Sequence, residues 1–306
     1  MFPRNALVFL IAASSLAACG GGGGDSAMTP ISFTSFSAVK SSQPVQASGI
    51  SQTVSATTLG GSVQSTTLDA VDTANSSAQI TYDAIPAMSA FNFTTPTSSV
   101  SFSGLSVQCT AGTGVCRASS INSQAVAINP LDPPVPALAW NYQSFGYWLV
   151  VGPSTSTIAG AMSFGNPTAV AAVPVMGTAT YTGLSGGFYV DQTGAIFAHA
   201  AQMQSSVDFG PARSIAFSTS NTTLSPINAA TPTPFPALNL TGNLTIVGGS
   251  NQFSGPVSAP GGASASAMTG TATGKFYGPS AQEIGGAFSL KGTGPQTMLG
   301  GFGGKR

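Results

Sequence analysis

The stretch GKFYGPSAQEIGGAF, residues 274–288, joins two strand patterns through a short turn and holds the chain's only glutamate, Glu283. Upstream of the turn, Met268, Gly270, Ala272, Gly274 and Phe276 alternate with Thr269, Thr271, Thr273 and Lys275. A period of two puts small apolar groups on one face of a strand and hydroxyls on the other. Downstream, Ile284, Gly286, Phe288 and Leu290 continue the alternation. The stretch therefore predicts two antiparallel strands meeting at a tight turn, with glycines packed on the inner face. Glu283 is then expected to accept hydrogen bonds from turn amides or to pair with a cation at the rim.

Working outward, the same period marks eight strands: 177–182, 196–209, 214–224, 237–247, 252–258, 265–277, 284–291 and 297–305. Leu238, Leu240, Leu244 and Ile246 alternate with Asn239, Thr241, Asn243 and Thr245, so that strand has one apolar face. Phe197, Met203, Val207 and Phe209 do the same against Gln202, Gln204, Ser206 and Asp208. Eight antiparallel strands in about 130 residues suit an up-and-down barrel filled by its own side chains. Residues 177–306 are read as that barrel.

The 176 residues before it divide by composition into a signal, a tether and a second β region. In 1–18, Arg4 and a short apolar run lead to Leu16-Ala17-Ala18-Cys19, the pattern of a bacterial lipoprotein signal. Cys19 is then the lipidated residue, whose acyl chains anchor the chain to a membrane; an ordinary secretory signal is the alternative. Residues 19–77, opening on five glycines and rich in Ser, Thr and Gln, read as a flexible tether. Residues 78–176 carry short strand patterns interrupted by NPLDPPVP at 129–136, where proline forbids regular structure. The run WNYQSFGYWLVV at 140–151 follows, with both tryptophans. It reads as a strand buried on both faces. The alternative is an exposed aromatic edge for a protein partner, presented by Trp140, Tyr142, Tyr147 and Trp148.

With 42% hydrophobic residues a core is available, but only 5% of residues are charged, eight basic against eight acidic. No basic stripe can track a polyphosphate backbone, which excludes nucleic acid as a partner. Cys109 and Cys116 enclose a turn containing Gly112 and Gly114 and read as a hairpin disulfide in an exported protein. Metal binding is the alternative, although no second Cys or His pair accompanies them.

His199, the single histidine, shares parity with Phe197, Met203 and Phe209 and points into the barrel. It reads as a buried neutral imidazole, with an axial haem or metal ligand as the other possibility. GLSGG at 183–187 matches the nucleophile-elbow pattern around Ser185, yet its flanks are strand-like and His199 precedes Asp208. A glycine hairpin is the expectation there, because the elbow needs a strand leading into a helix. The aspartates and Glu283 are scattered singly, so no general acid–base pair is in view. No enzyme, cofactor or metal is expected.

YQSFGYW at 142–148, GTATYTGLSGG at 177–187, VDFG at 207–210, GKFYGPSAQEIGGAF and the terminal GGFGGKR occur in this order. With the lipobox, they resemble the surface lipoproteins related to transferrin-binding protein B, and also the barrel of factor H-binding protein. The resemblance implies an all-β molecule in which an N-terminal handle-like β domain packs on a C-terminal eight-stranded antiparallel barrel. It further implies an outer-membrane lipoprotein, often at the cell surface, that binds a host protein or a haem- or iron-carrying ligand. A structural envelope or adhesion protein is the alternative. The chain is expected to act as a monomer with one handle and barrel rather than two such lobes.

Overall fold

Apolar and polar residues alternating with a period of two read as extended backbone, and the computed structural model is mostly strand, with a few single-turn 3-10 segments. It describes residues 28–306 apart from 153–154, 228–230 and 264. The expected signal at 1–18 and Cys19 lie outside the described residues.

Two sheets account for the fold. The first contains β1 (Ile31–Ser32), β2 (Val45–Leu59), β3 (Ser62–Leu68), β4 (Ser77–Ala84), β5 (Ala87–Thr94) and β6 (Ser99–Ser103). It continues with β7 (Val107–Thr110), β8 (Val115–Ser119), β9 (Ser123–Ile128), β10 (Gln143–Val151) and β11 (Ser156–Gly165). Its order is β6-β5-β4-β2-β11-β10-β9-β8-β7, with β1 and β3 also paired to β2. The edge strands β6 and β7 share no ladder, so this sheet curls without closing.

The second sheet is formed by β12 (Thr178–Val190), β13 (Ile196–Asp208), β14 (Ser214–Pro226), the short β15 (Thr233–Pro234) and β16 (Thr241–Ile246). β17 (Gln252–Ala259), β18 (Met268–Tyr277), β19 (Glu283–Lys291) and β20 (Thr297–Lys305) complete it. The β13–β14 pairing closes it into an eight-stranded antiparallel barrel, β15 being an appendage of β14. The fold is the handle-like domain and closed barrel expected from sequence. One local irregularity sits at Asn221, an extra β14 residue of positive φ opposite the Ala200–Gln202 step.

Two expectations need correction. Residues 45–59 and 62–68 are not tether but long strands, and β2 lies mid-sheet between β4 and β11. Their composition misleads because Ser51, Gln52 and Thr53 are buried polar residues with local partners. Ser51 meets the Ser76 hydroxyl at 2.8 Å, Gln52 donates to the Asp69 carbonyl and Thr53 donates to the Asp69 carboxylate at 2.8 Å. Nor is GLSGG a hairpin. It lies inside β12, whose ladders to β13 and β20 run unbroken through it.

Three apolar clusters organise the interior. Met203, Phe217, Phe253, Phe276, Phe288 and Phe302 help fill the barrel. Phe91, Phe93, Trp148 and Phe164 fill the concavity of the handle sheet. Between them Phe145, Tyr147 and Leu149 of β10 meet Phe188, Ala287 and Leu299 of the barrel wall. Strand β10 is thus covered on both faces, alternate residues serving different cores.

Candidate functional site

The seam between the domains explains the quoted motif. On β19, Ile284 and Phe288 point into the barrel, whereas Glu283 and Gly285 face the handle. A Cβ on Gly285 would come within 2.3 Å of Ser163 Oγ, and one on Gly303 within 2.3 Å of Gln143 Nε2. These outward glycines let β10 and β11 approach the barrel wall closely, so the expectation of a purely inner-face role for the motif's glycines is corrected.

Glu283 grips the start of β10. Its carboxylate accepts backbone N–H bonds from Asn141 at 2.5 Å, Tyr142 at 2.8 Å and Gln143 at 2.9 Å. The amides therefore come from the other domain, some 140 residues away, and not from the turn beside Glu283. Burial pushes the carboxyl up to about 7, while the three amides and the Lys305 ammonium pull it down.

Three lysines reach across the same seam. Lys275 Nζ donates to the Thr73 carbonyl at 2.6 Å, and Lys291 Nζ to the Thr66 carbonyl at 2.9 Å. Lys305 Nζ donates to the carbonyls of Pro136 at 3.0 Å and Ala139 at 3.2 Å. Burial lowers the Lys275 pKa, against the nearby Asp72 carboxylate that raises it. In a chain with so few charges, those of the last three strands are used to join the domains. Their position on the polar parity of each strand was the available signal.

Where the handle sheet curls away from the barrel, a cleft opens between β7–β10 and β12–β14. Its most apolar chamber, about 300 Å³, is lined by Val115, Val126, Ile128, Phe145, Tyr147 and Leu184, with Arg117, Gln202, Asn221 and Thr223 at its polar margin. Two adjoining chambers share Arg117 and Tyr147. Tyr147 packs edge-on against Phe188 with centroids 5.3 Å apart; burial raises its phenol pKa, and Arg117 lowers it.

The four aromatic candidates separate. Trp140, Tyr147 and Trp148 are buried and Tyr142 is only partly exposed, so the run is a packing layer and not an open edge. Tyr147 alone of the four lines the cleft. Exposed apolar residues of the handle include Leu59 and Val151 at the ends of β2 and β10, and Leu105 and Ile121 on loops; Val175 and Met176, before the barrel, are exposed as well. Leu105 and Ile121 are 99% and 97% exposed. The Val151 amide donates to the Asn122 carbonyl and the Thr58 amide to that of Thr155, which links these turns side by side. The β7–β8 register, Val107 opposite Ala118, brings Leu105 beside the turn that carries Ile121.

Cys109 and Cys116 are joined by a disulfide across the β7–β8 hairpin. His199 lies inside the barrel, its ring 5.9 Å from that of Phe288, and Nε2–H donates to the Leu299 carbonyl at 3.1 Å. Burial pulls its pKa down to about 4, keeping it neutral at pH 7. With Nε2 committed and the ring packed, the arrangement is that of a structural histidine. Ser185, also turned into the barrel, is 3% exposed and its hydroxyl has no partner among the described residues. It also borders the cleft chamber that Leu184 lines.

The fold and seam define a two-domain all-β scaffold with exposed loops. Residues 173–306 match the family model for the C-lobe and N-lobe beta barrels of Tf-binding protein B, and the barrel is of the transferrin-binding protein B type. Among solved structures, the chain is similar to isotype 1 transferrin-binding protein B from serogroup B Neisseria meningitidis, at 20% identity and TM-score 0.43. That match covers 68% of this chain and 37% of the other. A double mutant of transferrin-binding protein B from Haemophilus parasuis matches at 18% identity and TM-score 0.45, covering 84% of this chain and 44% of the other. A protein described as a surface lipoprotein matches at 15% identity and TM-score 0.39, covering 84% and 98% respectively. The chain thus spans less than half the length of the first two. No curated protein matches it.

Proposed function

We propose that this chain is a lipid-anchored surface protein of the outer membrane that binds a protein ligand and catalyses no reaction. The ligand is a host protein, of the transferrin class or another haem- or iron-carrying kind. The observation that carries the reading is the row of exposed aliphatic side chains, Leu59, Val151, Ile121 and Leu105, along one end of the strands β2 to β7 of a disulfide-braced handle. Apolar side chains exposed along one end of a sheet suit a protein partner. The transferrin-binding protein B-type barrel supports the same reading. The anchor rests on the lipobox ending in Cys19.

Capture from host serum by the full chain, compared with a Leu105→Asp/Ile121→Asp variant, tests the surface. The expected result is a specific partner retained by the parent and reduced at least tenfold in the variant. Equal capture by both would remove these loops from the site. Repeated recovery of no partner would favour the structural envelope or adhesion reading. Cys19→Ala is expected to abolish acyl labelling and release the chain from membranes; retention would refute the anchor.

A further inference from the structure

The cleft between the domains has chemistry that the loop surface does not. Its walls are apolar, from Val115, Val126, Ile128, Phe145 and Leu184, and Tyr147 lies at the junction of all three chambers. Among the described residues, Arg117 is the only charged one lining any of them. It is exposed, on the barrel-facing side of β8. Asn221 and Thr223 satisfy themselves locally, through Gln202 and the Ala200 carbonyl, so they place few demands on an occupant. A volume of about 300 Å³ in the most apolar chamber is at the lower bound of small-molecule sites, which favour such domain interfaces.

We propose that this cleft binds a linear aliphatic monocarboxylate, its carboxylate paired to the Arg117 guanidinium and its chain laid along Tyr147, Phe145 and Leu184. One fixed positive charge at the mouth of an uncharged apolar chamber is complementary to one negative charge on an apolar body. A guanidinium matches a carboxylate in shape as well as charge, through two parallel N–H donors. A polyanion would find no second cation among the lining residues. A neutral chain would forgo the only ionic contact available. The inference is independent of the protein ligand proposed for the loops.

The test uses the full chain with Cys19→Ser, so that no acyl group or detergent competes, titrated with octanoate, decanoate and dodecanoate below their micellar concentrations. One saturable site is expected, with affinity rising about fourfold per methylene, the factor for about 0.8 kcal/mol per buried CH₂. Arg117→Gln should weaken dodecanoate about tenfold and leave dodecanol unchanged. Ala200→Trp, at an exposed position on the cleft wall, should block both ligands; Thr223→Trp provides the same block if the first variant fails to fold. The proposal is overturned by absence of saturable binding or by affinity independent of chain length. It is equally overturned if Arg117→Gln leaves dodecanoate unaffected or if binding survives both tryptophan variants.

Discussion

The handle sheet and the barrel are built from similar amounts of strand but solve opposite problems. The barrel closes, β13 pairing with β14, and its alternation of apolar and polar residues is clean because one face is always the interior. The handle stays open at β6 and β7, and its central strand β2 buries Ser51, Gln52 and Thr53 where the barrel would bury Phe or Leu. Closure leaves no edge to protect, so barrel register tolerates little; an open sheet with hydrogen-bonded polar residues inside depends on local side-chain partners. The handle is therefore expected to be the adaptable half and the barrel the intolerant one.

The sharpest way to break that contrast is glycine substitution in each half. A Cβ on Gly270 of β18 would lie 1.9 Å from the Ser289 carbonyl oxygen, a backbone atom of the neighbouring strand. Gly270→Val is expected to cost more than about 4 kcal/mol in denaturant unfolding, or to prevent folding. Gly60, at the β2–β3 turn with φ of 60° and open space around its Cβ position, should tolerate alanine at about 1 kcal/mol. Comparable losses at the two sites would end the comparison.

The next effect is in pH dependence. Glu283, with its pKa raised to about 7, contributes stability that is present below the ordinary carboxyl pKa and is lost as pH rises through about 7. His199, lowered to about 4, contributes stability that is present above the ordinary imidazole pKa and is lost as pH falls through about 4. Across the overlap, from about 4.5 to 6.5, the two slopes oppose each other and the parent protein should be nearly flat. His199→Phe should unmask a fall of about 3 kcal/mol as pH rises from 4.5 to 7, and Glu283→Gln a rise of similar size from pH 4 to 6.5. Unfolding curves at four pH values would read both; a flat Glu283→Gln profile would show that His199 is not buried neutral.

Smaller effects belong to the handle. Opening the eight-residue ring with Cys109→Ser/Cys116→Ser should cost about 2 kcal/mol, by loop entropy. Its consequence for ligand capture should exceed its consequence for the barrel, measurable by hydrogen exchange confined to β7–β9. Ile121→Asp should change stability by less than about 0.5 kcal/mol, since 97% of the residue already faces water. A large loss there would mean that the tip is structural and not a contact surface.

Legibility followed the same division. Most barrel strands could be read because in-out alternation is local, as in Met268, Ala272 and Phe276 on β18; the glycines of β12 hid its second half. The aromatic run of β10 was readable as doubly covered, since Trp148 and Phe145 serve different cores. Strand β2 was not readable, because its Ser and Gln side chains are satisfied by Ser76 and Asp69, which local composition cannot reveal. The cleft was equally hidden: Arg117 and Tyr147 are 30 positions apart and converge only through the β8-β9-β10 order.

By itself the sequence determined the all-β class, the strands of the barrel other than the second half of β12, the inward direction of His199 and the Cys109–Cys116 pairing, all set by alternation or by short loops. Only the tertiary structure decided that β2 is core and not tether, and that the motif around Glu283 is a seam. The physical reason is that a polar strand face is silent about what will cover it. Glu283, Lys275, Lys291 and Lys305 stand on faces that read as solvent-exposed, and it is the arrival of a second sheet that turns them into the bonds between two domains.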